Sequence, residues 1–226
     1  MPQLIQISPE EGLALEISVF VSETFGQNAY ILRKTDHQSC LVVDPGFEVQ
    51  GIMDYLDSGG YQLDAILNTH GHIDHIAGNR AVKGRYPAAT LVIGEFDAHK
   101  LSDAKANLSA SYGIDLVSPD ADLRVSHGDK LKFAGLELET RLTPGHSPGH
   151  VVWVCWETLT PLVINGDVLF AGSIGRTDFP DGSFEELEKS IRTQLYTLPD
   201  ETIVLTGHGD FTTVGQEKAG NPFVSG

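Results

Sequence analysis

The stretch Thr69-His70-Gly71-His72-Ile73-Asp74-His75 decides how this sequence is interpreted. It places three imidazoles and a carboxylate within six residues, and no packing or turn requirement explains such a run. His70 and His72 stand two residues apart in an extended segment, so their imidazoles point the same way. Asp74 and His75 follow where the chain turns into a helix, so they can address a second centre close by. The stretch predicts a metal site, and its ligands suit zinc, iron or manganese.

Three more metal-type side chains occur later in the chain, each shortly after a predicted strand: His146, Asp167 and His208. The strands that precede these residues and the first cluster are predicted over 65–67, 136–142, 162–164 and 203–205. In layered α/β proteins, groups at the carboxyl ends of strands converge on one rim of the sheet. Alone, the Gly-Asp at 166–167 is typical of a turn. Four strand ends that all deliver metal-type ligands predict one shared centre.

The rest of the pattern predicts a layered α/β protein. Further strands are predicted over 15–21, 28–32, 39–43, 91–93 and 151–156. Helices are predicted over 47–56, 76–86 and 184–196, the last with Ser183 as its N-cap. The two β-rich halves indicate two sheets with helices on the outside. Because the 226 residues contain no short-period repeat, low-complexity tract or linker, we expect a single domain over 1–226.

Composition narrows the class of protein. The chain is 41% hydrophobic and 20% charged, as in an ordinary globular protein. No apolar run approaches the roughly 20 residues needed to cross a bilayer, and the N-terminus lacks the pattern of a secretory signal, so we expect a cytoplasmic protein. Cys40 and Cys155 each lie in an apolar run, which favours buried core thiols over a disulfide framework.

The net charge indicates which partners are unfavourable. At −16 the chain repels phosphate backbones and anionic membranes, so neither nucleic acid nor a membrane is an expected partner. A two-metal site would place about four positive charges at one point, so the whole-chain charge is a weaker guide beside the metals. The partner expected is a small-molecule substrate, and no pattern indicates an oligomeric state.

The seven metal-type residues resemble, in order and spacing, those of the metallo-β-lactamase superfamily, and the similarity covers most of the chain. The resemblance implies an αβ/βα sandwich, in which two mixed β-sheets face each other and helices cover both outer faces. It also implies two divalent metal ions, zinc in the first place, with iron or manganese as alternatives. The implied ligands are His70, His72 and His146 for metal 1, Asp74, His75 and His208 for metal 2, and Asp167 as the bridge.

Three segments resemble the glyoxalase II-like branch of that superfamily: 143–150, 165–178 and 207–215. That branch hydrolyses thioesters such as S-lactoylglutathione. The resemblance implies attack by a hydroxide that bridges the metals, with Asp74 and Asp167 as catalytic residues. Arg176 falls where longer glyoxalase II enzymes have a basic residue that contacts glutathione. Phe211 lies near the place of their tyrosine, so Arg176 and Phe211 are both expected to bind substrate. His150 either orients a ligand of the site from outside the ligand set or is simply packed in the interior.

Other activities of the same fold stay open. Only residues 209–226 follow the last ligand, so the helical domain that helps longer glyoxalase II enzymes bind glutathione is missing. Gly175-Arg176-Thr177-Asp178 also resembles persulfide dioxygenases, which use one iron held by two histidines and an aspartate. A lactonase, phosphodiesterase or ribonuclease is a third possibility, although the acidic chain disfavours nucleic acid. A binding module without activity would be expected to have lost a ligand, and none is lost.

Overall fold

Two large mixed β-sheets organise the computed structural model, which describes the backbone of residues 3–7 and all of residues 14–226. The strands of the first sheet, which are adjacent in chain order, are β1 (Gln3–Ile7), β2 (Leu15–Val21), β3 (Asn28–Lys34), β4 (Ser39–Val43), β5 (Gln62–Asn68), β6 (Thr90–Gly94) and β7 (Leu123–Val125). Strands β1 to β4 pair antiparallel, and β4 to β7 pair parallel.

The second sheet carries six strands, in the spatial order β15-β14-β11-β10-β9-β8. Its strands are β8 (Lys130–Phe133), β9 (Leu136–Leu142), β10 (Val151–Cys155), β11 (Leu162–Gly166), β14 (Ile203–Thr206) and β15 (Thr212–Thr213). A small hairpin of β12 (Leu169–Phe170) and β13 (Ser173–Ile174) stands apart from both sheets. Strands β11 and β14 pair parallel, while β9 and β11 each pair antiparallel with β10. The carboxyl ends of β9, β11 and β14 therefore share one edge.

Short helices cover the sheets. They are α1 (Gln50–Gly59), α2 (Ile73–Ile76), α3 (Asn79–Arg85), α4 (Phe184–Ser190), α5 (Val214–Gly220), a π-helical continuation of α4 (Ile191–Leu195) and two 3₁₀ segments (Glu95–Ser102 and Ser109–Tyr112). In the part of the chain that is described, no helix is long and apolar enough to cross a membrane.

Two predicted helices begin later than expected, for local reasons. Helix α1 begins at Gln50 rather than at residue 47 because Glu48 adopts a left-handed backbone with φ +57°, which a helix cannot include. The helix predicted over 76–86 spans only Asn79–Arg85. There the Gly78 amide donates to the Pro45 carbonyl at 2.7 Å instead of continuing a helical ladder from α2.

The core has three layers of contact, which confirm the predicted αβ/βα sandwich. Between the sheets, Leu67 of β5 belongs to the same buried cluster as Trp153 of β10. On the outer face of the first sheet, Leu91 shares a cluster with residues of α1 and α3. On the outer face of the second, Val163 shares one with Leu187 of α4 and neighbouring helical residues. Each sheet is thus buried on both faces.

The two sheets are also joined at the edge where the metal-type residues lie. The Val151 amide of β10 donates to the Thr69 carbonyl after β5 at 2.9 Å. The Asn28 amide of β3 donates to the Gly207 carbonyl at 2.7 Å, and its side chain donates to the Thr206 carbonyl at 3.1 Å. The Tyr30 hydroxyl also donates to Thr206. These bonds hold the loops after β5 and β14 in fixed positions.

Candidate metal centre

Three buried histidines meet at this edge. The Nδ1 atom of His72 lies 2.9 Å from Nε2 of His146, and that Nε2 atom lies 3.2 Å from Nε2 of His70. All three are 3% exposed or less. One nitrogen from each ring lies within 4.8 Å of the others, so the three could hold a single ion.

A second group lies beside the first. Nε2 of His208 lies 3.3 Å from Oδ2 of Asp74, and Nε2 of His75 lies 3.8 Å from the same oxygen. The carboxylate of Asp167 stands between the groups. Its Oδ1 atom is 3.4 Å from Nε2 of His75, and its Oδ2 atom is 3.5 Å from Nε2 of His208 and 3.6 Å from that of His146. The structure thus brings together all seven residues singled out in the sequence.

Hydrogen bonds behind the rings determine which nitrogen faces the centre. Nδ1 of His146 donates to the Arg176 carbonyl at 2.8 Å, so its Nε2 atom carries the lone pair. Nδ1 of His70 lies 3.1 Å from the Thr69 hydroxyl, which itself donates to a carboxylate at 2.7 Å. The Thr69 oxygen therefore accepts from His70, and the Nε2 atom of His70 is left without a proton.

Asp44, which directly follows the strand predicted over 39–43, is the carboxylate behind these rings. It is 2% exposed. Its Oδ2 atom accepts from the Thr69 hydroxyl at 2.7 Å and from Nδ1 of His75 at 2.9 Å, and its Oδ1 atom accepts from the Thr69 amide at 2.8 Å. A carboxylate that fixes the tautomer of a histidine in this way is typical of metal sites.

This arrangement fits a bound cation. The Nε2 lone pairs of His70 and His146 face each other at 3.2 Å, which is unfavourable unless a positive charge lies between them. Among the residues that the structure describes, Nε2 of His75 and Oδ1 of Asp167 have no hydrogen-bond partner, although both atoms are buried. Both observations are explained when the atoms are metal ligands.

The pKa shifts of the first histidine group support the same interpretation. Burial lowers the pKa of His70, His72 and His146, which keeps them in the neutral form that binds metals. Burial alone would raise the pKa of Asp167, but His75 and His208 beside it hold that pKa well below its usual range. Asp167 is therefore ionised at neutral pH.

His150 lies directly behind Asp167. Its Nε2 atom accepts from the Asp167 amide at 3.1 Å, and its Nδ1 atom lies 3.1 Å from the Thr143 hydroxyl. Because Nε2 accepts, the proton is on Nδ1, and the ring is uncharged. Burial lowers the pKa of His150 and so favours this neutral form. The ring is placed to fix the backbone that carries Asp167.

Asp97 is a second buried carboxylate that the sequence did not indicate. It is wholly buried, and it accepts from the Gly71 amide at 2.9 Å, from the Gly149 amide at 2.7 Å and from the Ser147 hydroxyl at 2.7 Å. These donors belong to the loop of His72 and the loop of His146. Its position shortly after a predicted strand was the available signal, but it lies in a segment without any metal-ligand motif.

Two glycines let the backbone approach the centre. A Cβ atom at Gly207 would clash with the Asp167 carboxylate. Gly166, directly before Asp167, has φ +53°, and a Cβ atom there would crowd the Thr69 hydroxyl and the His150 ring. Any other residue at these two positions would displace Asp167.

The two residues predicted to bind substrate are placed differently. Arg176 lines a cavity of about 350 Å³ that opens onto Asp74 and Asp167. Phe211 does not line that cavity. It packs against the ring of Tyr30, with a centroid distance of 6.0 Å, and against the core between the sheets. The prediction for Phe211 thus gains no support from its position, because the turn after His208 directs that side chain towards the core.

Family comparison agrees with this geometry. The model of the metallo-β-lactamase superfamily matches residues 23–208, which include every residue of the cluster. The chain belongs to the metallo-β-lactamase superfamily. It is therefore a metallo-hydrolase of that superfamily, and its histidine and aspartate cluster is a site for divalent metal.

Relatives of similar length occur among bacterial proteins. The chain is 35% identical to hydroxyacylglutathione hydrolase GloC of Haemophilus influenzae over 214 residues, covering 93% of this chain and 99% of that protein. It is 40% identical to the probable metallo-hydrolase YqgX of Bacillus subtilis over 200 residues, covering 88% and 92%.

Solved structures show the same fold. BLEG-1, a B3 metallo-β-lactamase, superposes with a TM-score of 0.88 at 32% identity, covering 93% of this chain and all of that one. ETHE1 from Myxococcus xanthus superposes with a TM-score of 0.76 at 26% identity, covering 91% and 83%.

Proposed function

We propose that this metallo-hydrolase cleaves a thioester, such as S-lactoylglutathione, with two divalent metal ions, zinc in the first place. One observation carries the proposal: the Asp167 carboxylate lies within 3.6 Å of nitrogens from both histidine groups. A carboxylate in that position can hold two cations close together. A site for one metal would not require the second group of ligands, Asp74, His75 and His208.

The proposed ligands follow the two groups. They are His70, His72 and His146 for metal 1, Asp74, His75 and His208 for metal 2, and Asp167 between them. Bound divalent cations would supply a shared water of lowered pKa and would polarise the thioester carbonyl.

The protein's own groups supply orientation. Asp74 lines the cavity, where its carboxylate can orient the attacking water. Because a thiolate is a good leaving group, no strong general acid is required opposite Asp74. Asp44 and His150 hold His75 and Asp167 in place, so little reorganisation is needed during the reaction.

The likeness to GloC supports thioester hydrolysis. That relative is named a hydroxyacylglutathione hydrolase, and the present chain covers 99% of it. The length that is matched is therefore enough for a protein named as a thioester hydrolase. The acidic chain also favours the expectation of a small-molecule partner, with neither nucleic acid nor a membrane, and the cytoplasmic location stays a prediction from the N-terminal sequence.

A test combines metal analysis with an activity assay. We expect purified protein to bind two metals per chain and to release thiol from S-lactoylglutathione, as measured with a thiol-reactive dye. The chelated protein should release none until metal is restored. Two metals per chain without thiol release from any thioester would contradict the proposed reaction.

A persulfide dioxygenase with one iron is the second candidate. The segment 175–178 and the likeness to ETHE1 at 26% identity favour it to a limited extent. Only Asp167 and two of the histidines of metal 1 would then bind iron. One iron per chain with oxygen consumption on a persulfide substrate would establish this alternative, whereas two metals with thiol release would exclude it.

A further inference from the structure

The cavity over the metal centre is poor in positive side chains. Among the residues that the structure describes, Arg176 is the one lysine or arginine that lines it, and residues 1–13 contain neither type. Arg176 is already engaged: its guanidinium donates two bonds of 2.7 Å to the two carboxylate oxygens of Asp178. A substrate carboxylate would have to displace Asp178 to pair with Arg176.

Aromatic rings, rather than positive side chains, lie at both ends of the ligand cluster. The ring of Phe179 lies 4.9 Å from that of His72 and 5.5 Å from that of His146. The ring of Phe170 lies 6.1 Å from that of His208. A substrate that reaches either metal position therefore passes an apolar face.

The outer wall of the cavity is aromatic as well. Phe25 and Tyr112 line it and contact each other edge to face, with a centroid distance of 5.5 Å. Phe25 is held by a stacked contact of 5.2 Å with Phe47. Tyr112 is 59% exposed, so its ring is available to cover a ligand. Leu108 and Ile174 complete an apolar lining.

These observations favour an uncharged ligand. A carboxylate that enters the cavity loses water, and this cost is recovered only when a cation replaces the water. Glutathione carries two carboxylates. Apart from the proposed metals, which would polarise the thioester carbonyl, Arg176 is the one cation that lines the cavity among the described residues, and it is already paired with Asp178. An apolar or aromatic group would instead bury its surface against the rings at no such cost.

We propose that the preferred substrate is an uncharged thioester with an apolar or aromatic substituent, and that thioesters of the anionic tripeptide thiol are poorer substrates. This inference rests on the proposed thioester hydrolysis and narrows its substrate class. The aromatic wall formed by Phe25, Phe170, Phe179 and Tyr112 is the surface that selects the substituent.

A matched pair of substrates tests the inference on the metal-loaded protein. S-lactoylglutathione and the S-lactoyl ester of benzyl mercaptan share the acyl group and differ in the thiol. We expect kcat/KM to be at least about tenfold higher for the benzyl ester. Equal values, or a preference for the glutathione ester, would overturn the inference and leave thioester hydrolysis intact. No hydrolysis of either ester would overturn both proposals.

A variant of the aromatic wall provides a second test of the inference. Tyr112→Ala should lower kcat/KM for the benzyl ester about five- to tenfold and so reduce the preference for this ester over the glutathione ester. Phe223→Ala is the matched control, because Phe223 is 53% exposed and does not line the cavity. Metal content should be the same in both variants. Equal losses on the two esters in Tyr112→Ala would contradict an apolar selection surface.

Discussion

Asp44 connects the backbone before the metal cluster to the rings that form it. Its carboxylate accepts from Nδ1 of His75 and from the amide and hydroxyl of Thr69. All of its bonds are with donors, so only an ionised carboxylate satisfies them. The geometry at His70 and His75 therefore depends on a residue that does not itself face the centre.

In Asp44→Asn, an amide NH₂ group would face one of these donors. We expect affinity for metal to fall about 10- to 100-fold, as for other carboxylates that support a ligating histidine. Competition with a chromogenic chelator measures this. Asp115→Asn, at an exposed position, is the control. Wild-type affinity in Asp44→Asn would contradict the role assigned to Asp44.

Asp97 supports the loops that carry His72 and His146, rather than the histidine rings themselves. Its oxygens join the Gly71 loop to the segment from Ser147 to Gly149, and Asp97 is wholly buried. Asp97→Asn should destabilise the protein by about 2–3 kcal/mol, because buried bonds to a charged acceptor are lost. Urea denaturation of the metal-loaded protein measures it, with Asp115→Asn again as control. A loss below about 0.5 kcal/mol, the range of neutral surface changes, would argue against this role.

At the scale of elements, helix α4 anchors the loop of His146. The Ser183 amide donates to the Gly145 carbonyl at 2.7 Å, and the Ser183 hydroxyl accepts from the Glu186 amide at 3.3 Å. The predicted N-cap is thus confirmed, and the same residue ties the helix to the ligand loop.

Ser183→Ala should reduce stability by about 1 kcal/mol, because the amide at the start of the helix loses its acceptor. Thermal denaturation measures the change. Ser183→Asp, which keeps a capping oxygen, should restore most of the loss. Equal destabilisation by both substitutions would show that the cap contributes nothing here.

The elements also show which parts of the fold the sequence could predict. Five strands were predictable, because alternating apolar and polar residues indicate a half-buried strand and continuous apolar residues indicate a buried one: β2, β4, β9, β10 and β11. Strand β15 has two residues, which are too few to show a periodic pattern in the sequence. It forms because it pairs with β14. Helix α1 was displaced because the left-handed backbone of Glu48 leaves no signature in residue type.

At the scale of the whole molecule, the ligands were predictable because residue type and position after a strand coincide. The edge shared by β9, β11 and β14 follows from their pairing, and the bonds from Asn28 and Val151 bring the first sheet to the same edge. Asp44 and Asp97 were missed, because a supporting carboxylate is recognised only once the loops it joins are known. The position of Phe211 likewise depends on the turn after His208.

Metal should contribute to the stability of the whole fold, since its ligands come from loops of both sheets. Saturation at 100 times the dissociation constant stabilises a protein by about 2.7 kcal/mol. We expect chelation to lower the melting temperature and metal to restore it. Because protons compete for imidazole ligands, the metal should be lost more easily as the pH falls. An unchanged melting temperature after complete chelation would contradict a centre that links the sheets.

If Asp167 holds two metals together, the number of metals bound per chain depends on its carboxylate. We expect two metals per chain in the wild-type protein, measured by inductively coupled plasma mass spectrometry. In Asp167→Ala we expect loss of bound metal together with loss of thiol release. Two tightly bound metals per chain in purified Asp167→Ala would contradict the role proposed for Asp167.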